Sequence, residues 1–241
     1  MASSAHDADL PADAISREVR IPPLGLLGTL RLPGEAAGLV LFAHGSGSSR
    51  LSPRNAAVAG ALNRAGFGTL LFDLLTPEEE GDRRNVFDIP LLANRLVHAV
   101  RWTDEDKRLV KLPLGLFGAS TGAAAALVAA AELAGRVAAV VSRGGRPDLA
   151  DRALDHVRAP TLLIVGGNDI SVLELNELAF TRLKGTKSLR IVPEATHLFE
   201  EPGAMEAVIR HAIDWFSSHL AKSRAGRRSA PRRGSVAYDV S

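Results

Sequence analysis

Residues 113–126, which read PLGLFGASTGAAAA, constrain the fold of this chain more than any other stretch. The apolar run 114–117 leads directly into G-A-S-T-G and then into alanines, which predicts a strand that turns into a helix at Ser120. A serine at the tip of so sharp a turn needs neighbours without side chains, because strand and helix approach each other closely there. Gly118 and Gly122 meet this need.

The G-x-S-x-G spacing is that of a nucleophile elbow, in which the serine is held in a strained backbone conformation. The same residues also fit a glycine-capped strand end before an alanine-rich core helix. The pentapeptide alone leaves both interpretations open, and its context decides between them.

Around this stretch, short apolar runs alternate with segments of helical spacing. Strands are predicted at 15–22, 26–32, 38–43, 69–72, 114–117, 137–141, 161–165 and 189–192. Helices are predicted at 53–65, 89–100, 149–157, 172–183 and 205–216, and a charged surface loop at 76–85. The first two strands form a hairpin and repeated β-α units follow it. The pattern predicts an α/β fold with a mostly parallel eight-stranded sheet and helices on both faces.

The chain divides into one domain and two flanking segments. Residues 1–14 are predicted as a disordered leader, 15–221 as the α/β domain, and 222–241 as a basic, disordered tail. Six positive charges lie in that tail: Lys222, Arg224, Arg227, Arg228, Arg232 and Arg233. Without them the net charge of +2 becomes −4, so the body offers no basic surface for nucleic acid.

Composition excludes several classes of chemistry. The chain has no cysteine, which removes disulfides, thiolate nucleophiles and zinc–cysteine sites. No apolar run is long enough for a membrane helix and no secretory signal begins the sequence, so we expect a cytoplasmic protein without membrane partners. Neither a dinucleotide fingerprint nor a phosphate loop is present, and we expect no cofactor and no metal.

Reactive side chains follow three of the predicted strands. Ser120 comes after the fifth strand, Asp169 after the seventh and His197 after the eighth. The carboxyl ends of parallel strands meet at one edge of a sheet, where ligands bind. A serine hydroxyl becomes nucleophilic when an imidazole accepts its proton, and a carboxylate orients that imidazole. We therefore predict Ser120 as nucleophile, His197 as base and Asp169 as the orienting acid.

Such a nucleophile also requires an oxyanion hole of backbone N–H groups. One donor is predicted at Thr121, directly after the nucleophile. The other is predicted at Ser46, in the polar loop H-G-S-G that follows the third strand, with Gly45 and Gly47 as alternatives. His44 is more consistent with shaping this loop than with acting as a base.

Some residues near the predicted site have competing interpretations. Asp169 also fits a helix cap, and Asp148, after the sixth strand, is its rival as the acid. Arg143 and Arg146 fit either a substrate carboxylate or a solvated loop. The predicted substrate-binding residues are His44, Gly45, Arg143 and Phe199, although core packing explains Phe199 equally well.

The motifs HGSGSS, GASTG, GGND and ATHLFEEPG, between about residues 38 and 220, resemble those of α/β-hydrolases of the dienelactone-hydrolase-like group. Dienelactone hydrolases proper use a cysteine nucleophile, whereas this chain has Ser120 at that position. The departure favours a serine esterase over a dienelactone substrate. Some actinobacterial members of the group are joined to phosphoribosyltransferase domains, of which this sequence shows nothing.

We therefore expect a carboxylic ester hydrolase that acts on small soluble esters through an acyl-enzyme, as a monomer or homodimer. Few residues separate 141 from the helix at 149, which leaves no space for a lid domain. The alternatives are a lactonase, a thioesterase and a catalytically silent α/β-hydrolase that serves as a binding or regulatory module.

Overall fold

The computed structural model describes residues 14–220 and the backbone of strand 235–238. The strands are β1 (Ile15–Ile21), β2 (Leu26–Leu32), β3 (Leu39–Ala43), β4 (Gly68–Phe72), β5 (Leu114–Ala119), β6 (Val137–Arg143), β7 (Thr161–Gly166), β8 (Lys187–Val192) and β9 (Ser235–Tyr238). The helices are α1 (Pro53–Arg64), α2 (Pro77–Glu80), α3 (Arg83–Val86), α4 (Ile89–Glu105), α5 (Thr121–Glu132), α6 (Ile170–Arg182) and α7 (Ala204–Leu220). A 3₁₀ segment, Pro147–His156, lies between β6 and β7.

The nine strands of the described residues form one sheet in the order β1-β2-β4-β3-β5-β6-β7-β8-β9. β2 pairs antiparallel with β1 and β4, and every other pairing is parallel. This arrangement confirms the predicted α/β class and the mostly parallel sheet. The chain passes from β6 to the 3₁₀ segment through residues 144–146 alone, so no lid is inserted there.

Helices cover both faces of the sheet, and alternate strand residues supply the two cores. In β3, Leu39 and Leu41 belong to the cluster beneath α4, α5 and α6, whereas Val40 and Phe42 belong to the cluster beneath α1 and α7. β3 is buried along its whole length because it has helices on both sides. The continuous apolar run from which this strand was predicted follows from that double burial.

Strand β9 was not predicted. It pairs parallel with β8, in the register Leu189↔Val236, and so adds a ninth strand to the eight expected. β9 lies inside the segment 222–241, which was predicted to be a disordered tail, so the prediction is wrong for residues 235–238. The rest of the predicted tail and residues 1–13 of the predicted leader lie outside the described residues. β9 forms hydrogen bonds with backbone groups of β8 that would otherwise be unpaired, and it takes the place of β8 as the edge strand.

Two further elements differ from the prediction. The segment 76–85, expected as a loop, forms the short helices α2 and α3. α2 begins with a capping box in which the Thr76 hydroxyl accepts from the Glu79 N–H while the Glu79 carboxylate accepts from the Thr76 N–H. Residues 149–157, expected as an α-helix, lie largely in the 3₁₀ segment, which is kinked where Asp151 has φ 42°.

Across residues 14–220, none of the helices combines the length and apolar character that a membrane crossing would demand.

Candidate active site

Ser120 stands at the junction of β5 and α5 in a strained backbone conformation, with φ 52° and ψ −123°. A positive φ is rare for a residue with a side chain and is typical of sites where the surroundings hold the backbone in place. The Ser120 N–H donates to the Arg143 carbonyl (3.3 Å), and its own carbonyl accepts from the Arg146 N–H (3.1 Å). Both bonds come from the segment after β6, which therefore holds the turn.

The two glycines of the motif allow close backbone contacts. A Cβ added to Gly122 would lie 2.2 Å from the Ala43 carbonyl oxygen, and one added to Gly118 would lie 2.4 Å from the Ala123 Cα. Neither distance is compatible with a real side chain. The spacing of the motif thus follows from the way α5 turns back against β5 and β3.

His197 and Asp169 form a direct pair. The His197 Nδ1 lies 2.7 Å from the Asp169 Oδ2, with the carboxylate largely buried and the imidazole side chain 39% exposed. Asp169 occupies the N-cap position of α6, but its side chain makes no capping hydrogen bond. The carboxylate contacts the imidazole instead, which is the alternative predicted from the strand-end position.

Backbone contacts between the two loops hold this pair together. The Asn168 N–H donates to the Ala195 carbonyl (2.9 Å), and the Asn168 side-chain amide donates to the Glu194 carbonyl (2.9 Å). Within the second loop, the Thr196 hydroxyl donates to the Glu201 carboxylate (2.6 Å). The loops after β7 and β8 therefore form one hydrogen-bonded unit that carries both side chains.

Ser120 and His197 line the same cavity, which has a volume of about 210 Å³. The imidazole packs over Gly144, where an added Cβ would lie 3.6 Å from the His197 Nδ1. The walls also contain residues that sequence reasoning did not select: Ser48, Ser52, Arg54, Asn55 and Leu198. Three of these belong to the N-terminal turn of α1, which is distant from Ser120 in sequence and offers no local motif.

The loop predicted to supply an oxyanion donor lies directly beside Ser120. A Cβ on Gly45 would come within 2.9 Å of the Ser120 Cβ, so this position accepts only glycine without a shift. The Ser46 N–H donates to the Thr121 hydroxyl (3.0 Å). The two residues predicted as donors are thus in contact, and the Thr121 side chain is the present acceptor of the Ser46 N–H.

His44 is a buried structural histidine at the base of this loop. Its Nδ1 lies 3.0 Å from the Gly45 carbonyl, and its Nε2 lies 3.0 Å from the Leu74 N–H. A carbonyl needs a donor and an N–H needs an acceptor, so these partners assign a neutral ring protonated at Nδ1. Burial lowers the pKa of His44, which agrees with the neutral form.

A second cavity of about 380 Å³ lies on the other side of the loop. The two cavities share Gly45, Ser46 and Ser48, and the second includes Thr121. Four of its lining residues are apolar: Leu74, Leu75, Val86 and Leu92. The loop after β3 therefore separates a polar cavity from a more apolar one.

The remaining candidate residues fall into different surroundings. Arg143 is buried and lines the Ser120 cavity, whereas Arg146 pairs with Asp148 through two hydrogen bonds of 2.9 and 2.8 Å. Asp148, the rival acid, is thus paired with an arginine.

Phe199 packs in the core beneath α7, and its neighbour Leu198 lines the cavity instead. Over residues 14–220, no three His, Cys, Asp or Glu side chains gather as a metal site would require.

Comparisons with known proteins agree with this architecture. Residues 36–223 match the family model described as alpha/beta hydrolase domain. Two Mycobacterium tuberculosis proteins named "Putative phosphoribosyl transferase", from strains CDC 1551 and H37Rv, are 57% identical over 213 residues, or 88% of this chain and 48% of each relative. The chain thus spans about half the length of these curated relatives.

Among solved structures, dienelactone hydrolase from Anabaena variabilis is 55% identical, with a TM-score of 0.83 over 86% of this chain and 98% of that one. Est1E from Butyrivibrio proteoclasticus is 16% identical, with a TM-score of 0.72 over 86% of this chain and 99% of its own, and shares the fold alone. On the match to its domain model and the identity to the Anabaena structure, the chain belongs to the α/β-hydrolase family and is a dienelactone-hydrolase-like member of it.

Proposed function

We propose that this protein is a serine hydrolase that cleaves small carboxylic esters through an acyl-enzyme. The observation that carries the proposal is the 2.7 Å contact between the His197 imidazole and the Asp169 carboxylate. This imidazole lines the same cavity as Ser120, whose backbone is strained. A carboxylate on Nδ1 keeps the proton there and leaves Nε2 free as the base. This constellation is the one that acyl transfer requires.

In the proposed reaction, the Ser120 Oγ attacks the ester carbonyl carbon while its proton passes to the His197 Nε2. The tetrahedral intermediate collapses, the carbon–oxygen bond to the alcohol breaks, and the alcohol leaves with the proton from His197. A water molecule then attacks the acyl-enzyme, again giving its proton to His197. The carboxylic acid departs and the Ser120 hydroxyl is regenerated.

The negative charge on the intermediate needs N–H donors, for which we propose Thr121 and Ser46. The Thr121 N–H opens α5, so it has no acceptor within the helix. The Thr121 hydroxyl, which accepts from the Ser46 N–H, holds the loop in place until the oxyanion replaces it as acceptor. Gly45 permits this arrangement because it has no side chain to separate the loop from Ser120.

Two relatives have names that bear on the substrate. The Anabaena protein is named a dienelactone hydrolase, and a lactone is a cyclic ester, so lactones belong among the candidate substrates, as do thioesters. The name phosphoribosyl transferase belongs to proteins about twice as long as the matched segment, and that segment is the part with the hydrolase fold. We therefore base the proposal on hydrolase chemistry.

The test is labelling by a fluorophosphonate probe, together with turnover of p-nitrophenyl acetate and butyrate. We expect the wild type to be labelled and to hydrolyse both esters, and Ser120→Ala to lose both properties. Ser218→Ala, which changes an exposed serine on α7, is the matched control and should retain them. A folded wild type with neither labelling nor turnover would favour the silent binding module.

A further inference from the structure

The cavity beside Ser120 contains a buried cation without a counter-ion. Arg143 is 7% exposed, and its Nε and Nη1 are buried with no hydrogen-bond partner among the described residues. No carboxylate within residues 14–220 forms an ion pair with it. The other arginines near the site differ in this respect, because Arg146 pairs with Asp148 and Arg54 pairs with the exposed Glu200 (3.2 Å).

The surroundings of Arg143 add positive rather than negative potential. Burial, and then the nearby charge of Arg54, lower the pKa of Arg143 to about 10, so the guanidinium is still protonated at neutral pH. The N-terminal turn of α1, with Ser52, Arg54 and Asn55, lines the same cavity. A helix N-terminus favours anions.

An unpaired buried charge is unfavourable, since the lost hydration is not replaced by any partner. A site that keeps such a group beside its nucleophile needs a partner that arrives with the substrate. A guanidinium binds carboxylate and phosphate oxygens through paired hydrogen bonds, which suits a planar or tetrahedral oxyanion.

Building on the proposed function, we propose that the preferred substrates are esters that carry an anionic group, a carboxylate or a phosphate, and that Arg143 pairs with that group. Arg54 and the N-terminus of α1 add to the attraction. The anion belongs close to the scissile bond, because Arg143 pairs in register with Ala119 and its carbonyl accepts from the Ser120 N–H. The cavity of about 210 Å³ is large enough for this short anionic part.

The experiment compares kcat/KM for matched esters. The acyl series consists of p-nitrophenyl butyrate, p-nitrophenyl hemisuccinate and p-nitrophenyl 3-phosphonopropanoate, which are neutral, carboxylate-bearing and phosphonate-bearing. The alcohol series consists of the butyryl esters of ethanol, glycolate and 2-phosphoethanol. We expect the wild type to prefer an anionic member of one series by about 10- to 100-fold over the neutral one. The preferred anion then identifies the carboxylate or the phosphate as the ligand.

In Arg143→Met, which keeps an unbranched apolar stem but removes the guanidinium, the preference should fall to near one. Arg143→Lys should retain part of the preference for the anionic esters, because the lysine ammonium keeps the positive charge but cannot form the paired hydrogen bonds of a guanidinium. Arg146→Met removes a nearby arginine whose charge is already paired, so it should keep the wild-type ratio. Thermal unfolding of each variant establishes that it is folded.

Binding measured without turnover separates this proposal from the proposed function. Succinate or 3-phosphonopropanoate should raise the Tm of the wild type and of Ser120→Ala, and should have no such effect on Arg143→Met. Fluorophosphonate labelling and butyrate hydrolysis without any anionic preference or anion-induced rise in Tm would overturn the anion site and leave the hydrolase intact. Anion binding without labelling would retain the site and overturn the hydrolase.

Discussion

At the scale of single residues, the position of Asp169 fits two roles, a cap of α6 and a partner of the His197 imidazole, and the structure shows the second. The residue precedes α6, where an aspartate usually accepts from the first backbone N–H groups of the helix. Its side chain makes no such bond and instead lies 2.7 Å from the His197 ring. The geometry therefore singles out Asp169 as the partner of the imidazole.

Asp169→Asn tests this role with little change of shape. An amide in place of the carboxylate favours the wrong tautomer of His197 and no longer stabilises the imidazolium, so kcat for p-nitrophenyl butyrate should fall by about 10⁴. Asp148→Asn is the matched control, since Asp148 is bound to Arg146, and it should retain most of the activity. A D169N enzyme within tenfold of wild type would contradict the assignment.

His44 leads to a prediction about pH. Its pKa lies below the ordinary 6.5 because burial disfavours the imidazolium, an effect that the hydrogen bond with the Gly45 carbonyl and the charges of Asp73 and Glu80 only partly offset. The unfolded chain therefore binds a proton as the pH falls below about 6.5, while the folded chain does not. The free energy of unfolding should decrease from that pH towards the lower folded-state pKa, by up to about 1.4 kcal/mol per pH unit for this group, and then level off.

The measurement is urea unfolding of the wild type and of His44→Gln between pH 7.5 and 5. The glutamine does not titrate, so the loss of stability on acidification should be smaller. His219, whose pKa burial also lowers, acts in the same direction, and the double variant should show the smallest loss. An identical pH dependence in wild type and H44Q would contradict the prediction.

At the scale of elements, the contact between α5 and β3 depends on a single missing side chain. The Gly122 position lies against the carbonyls of Ala43 and His44, at 2.2 and 2.4 Å from an added Cβ. Both carbonyls belong to the backbone and cannot move aside as a flexible side chain would. The positions of Ser120, α5 and the loop after β3 therefore depend together on this one glycine.

Gly122→Ala should lower the free energy of unfolding by about 3 kcal/mol, because the new methyl group forces α5 away from β3. Gly60→Ala is the matched control in α1, where an added Cβ has no neighbour closer than the end of the Arg64 side chain at 3.6 Å. That variant should gain about 0.5–1 kcal/mol from the better helix propensity of alanine. Chemical denaturation of both measures the difference, and equal effects would refute the steric explanation.

The helices and strands also show which elements can be predicted from the local sequence. Strands buried on both faces, such as β3, were predicted because continuous apolar runs are a local signal. α2 was missed although its start, Thr-Pro-Glu-Glu, contains the capping box, since a four-residue helix has too little periodicity to detect. That Ser52, Arg54 and Asn55 line the Ser120 cavity could not be predicted from the sequence, because it depends on the packing of α1 near the loop that carries His197.

At the scale of the whole molecule, β9 replaces β8 as the edge strand on one side of the sheet. It was missed because the residues around it are basic and carry no apolar pattern, and pairing with β8 is a tertiary effect that no local rule describes. Without β9, the outer backbone groups of β8 would be free to pair with another chain. The four residues of β9 thus replace the six of β8 at this edge, and a shorter edge strand offers fewer backbone groups to another chain.

A chain that ends at Leu220 should therefore self-associate more and unfold at a lower temperature. A full-length variant with Val236→Pro and Ala237→Pro should behave similarly, because proline has no N–H to donate to the ladder and the tail keeps its length and charge. Light scattering and thermal unfolding measure both properties. Monomers of wild-type stability in both variants would show that β9 contributes nothing to the edge.

The loop shared by the two cavities has a practical consequence for redesign. Because Gly45, Ser46 and Ser48 stand as a partition between them, changes at Leu75 or Val86 reshape one compartment and changes at Asn55 or Leu198 reshape the other. Libraries built on either side should therefore change the shape of one cavity and leave the other as it is. If Gly45, Ser46 and Ser48 are kept unchanged, the two cavities can be varied one at a time and the successful changes can then be combined.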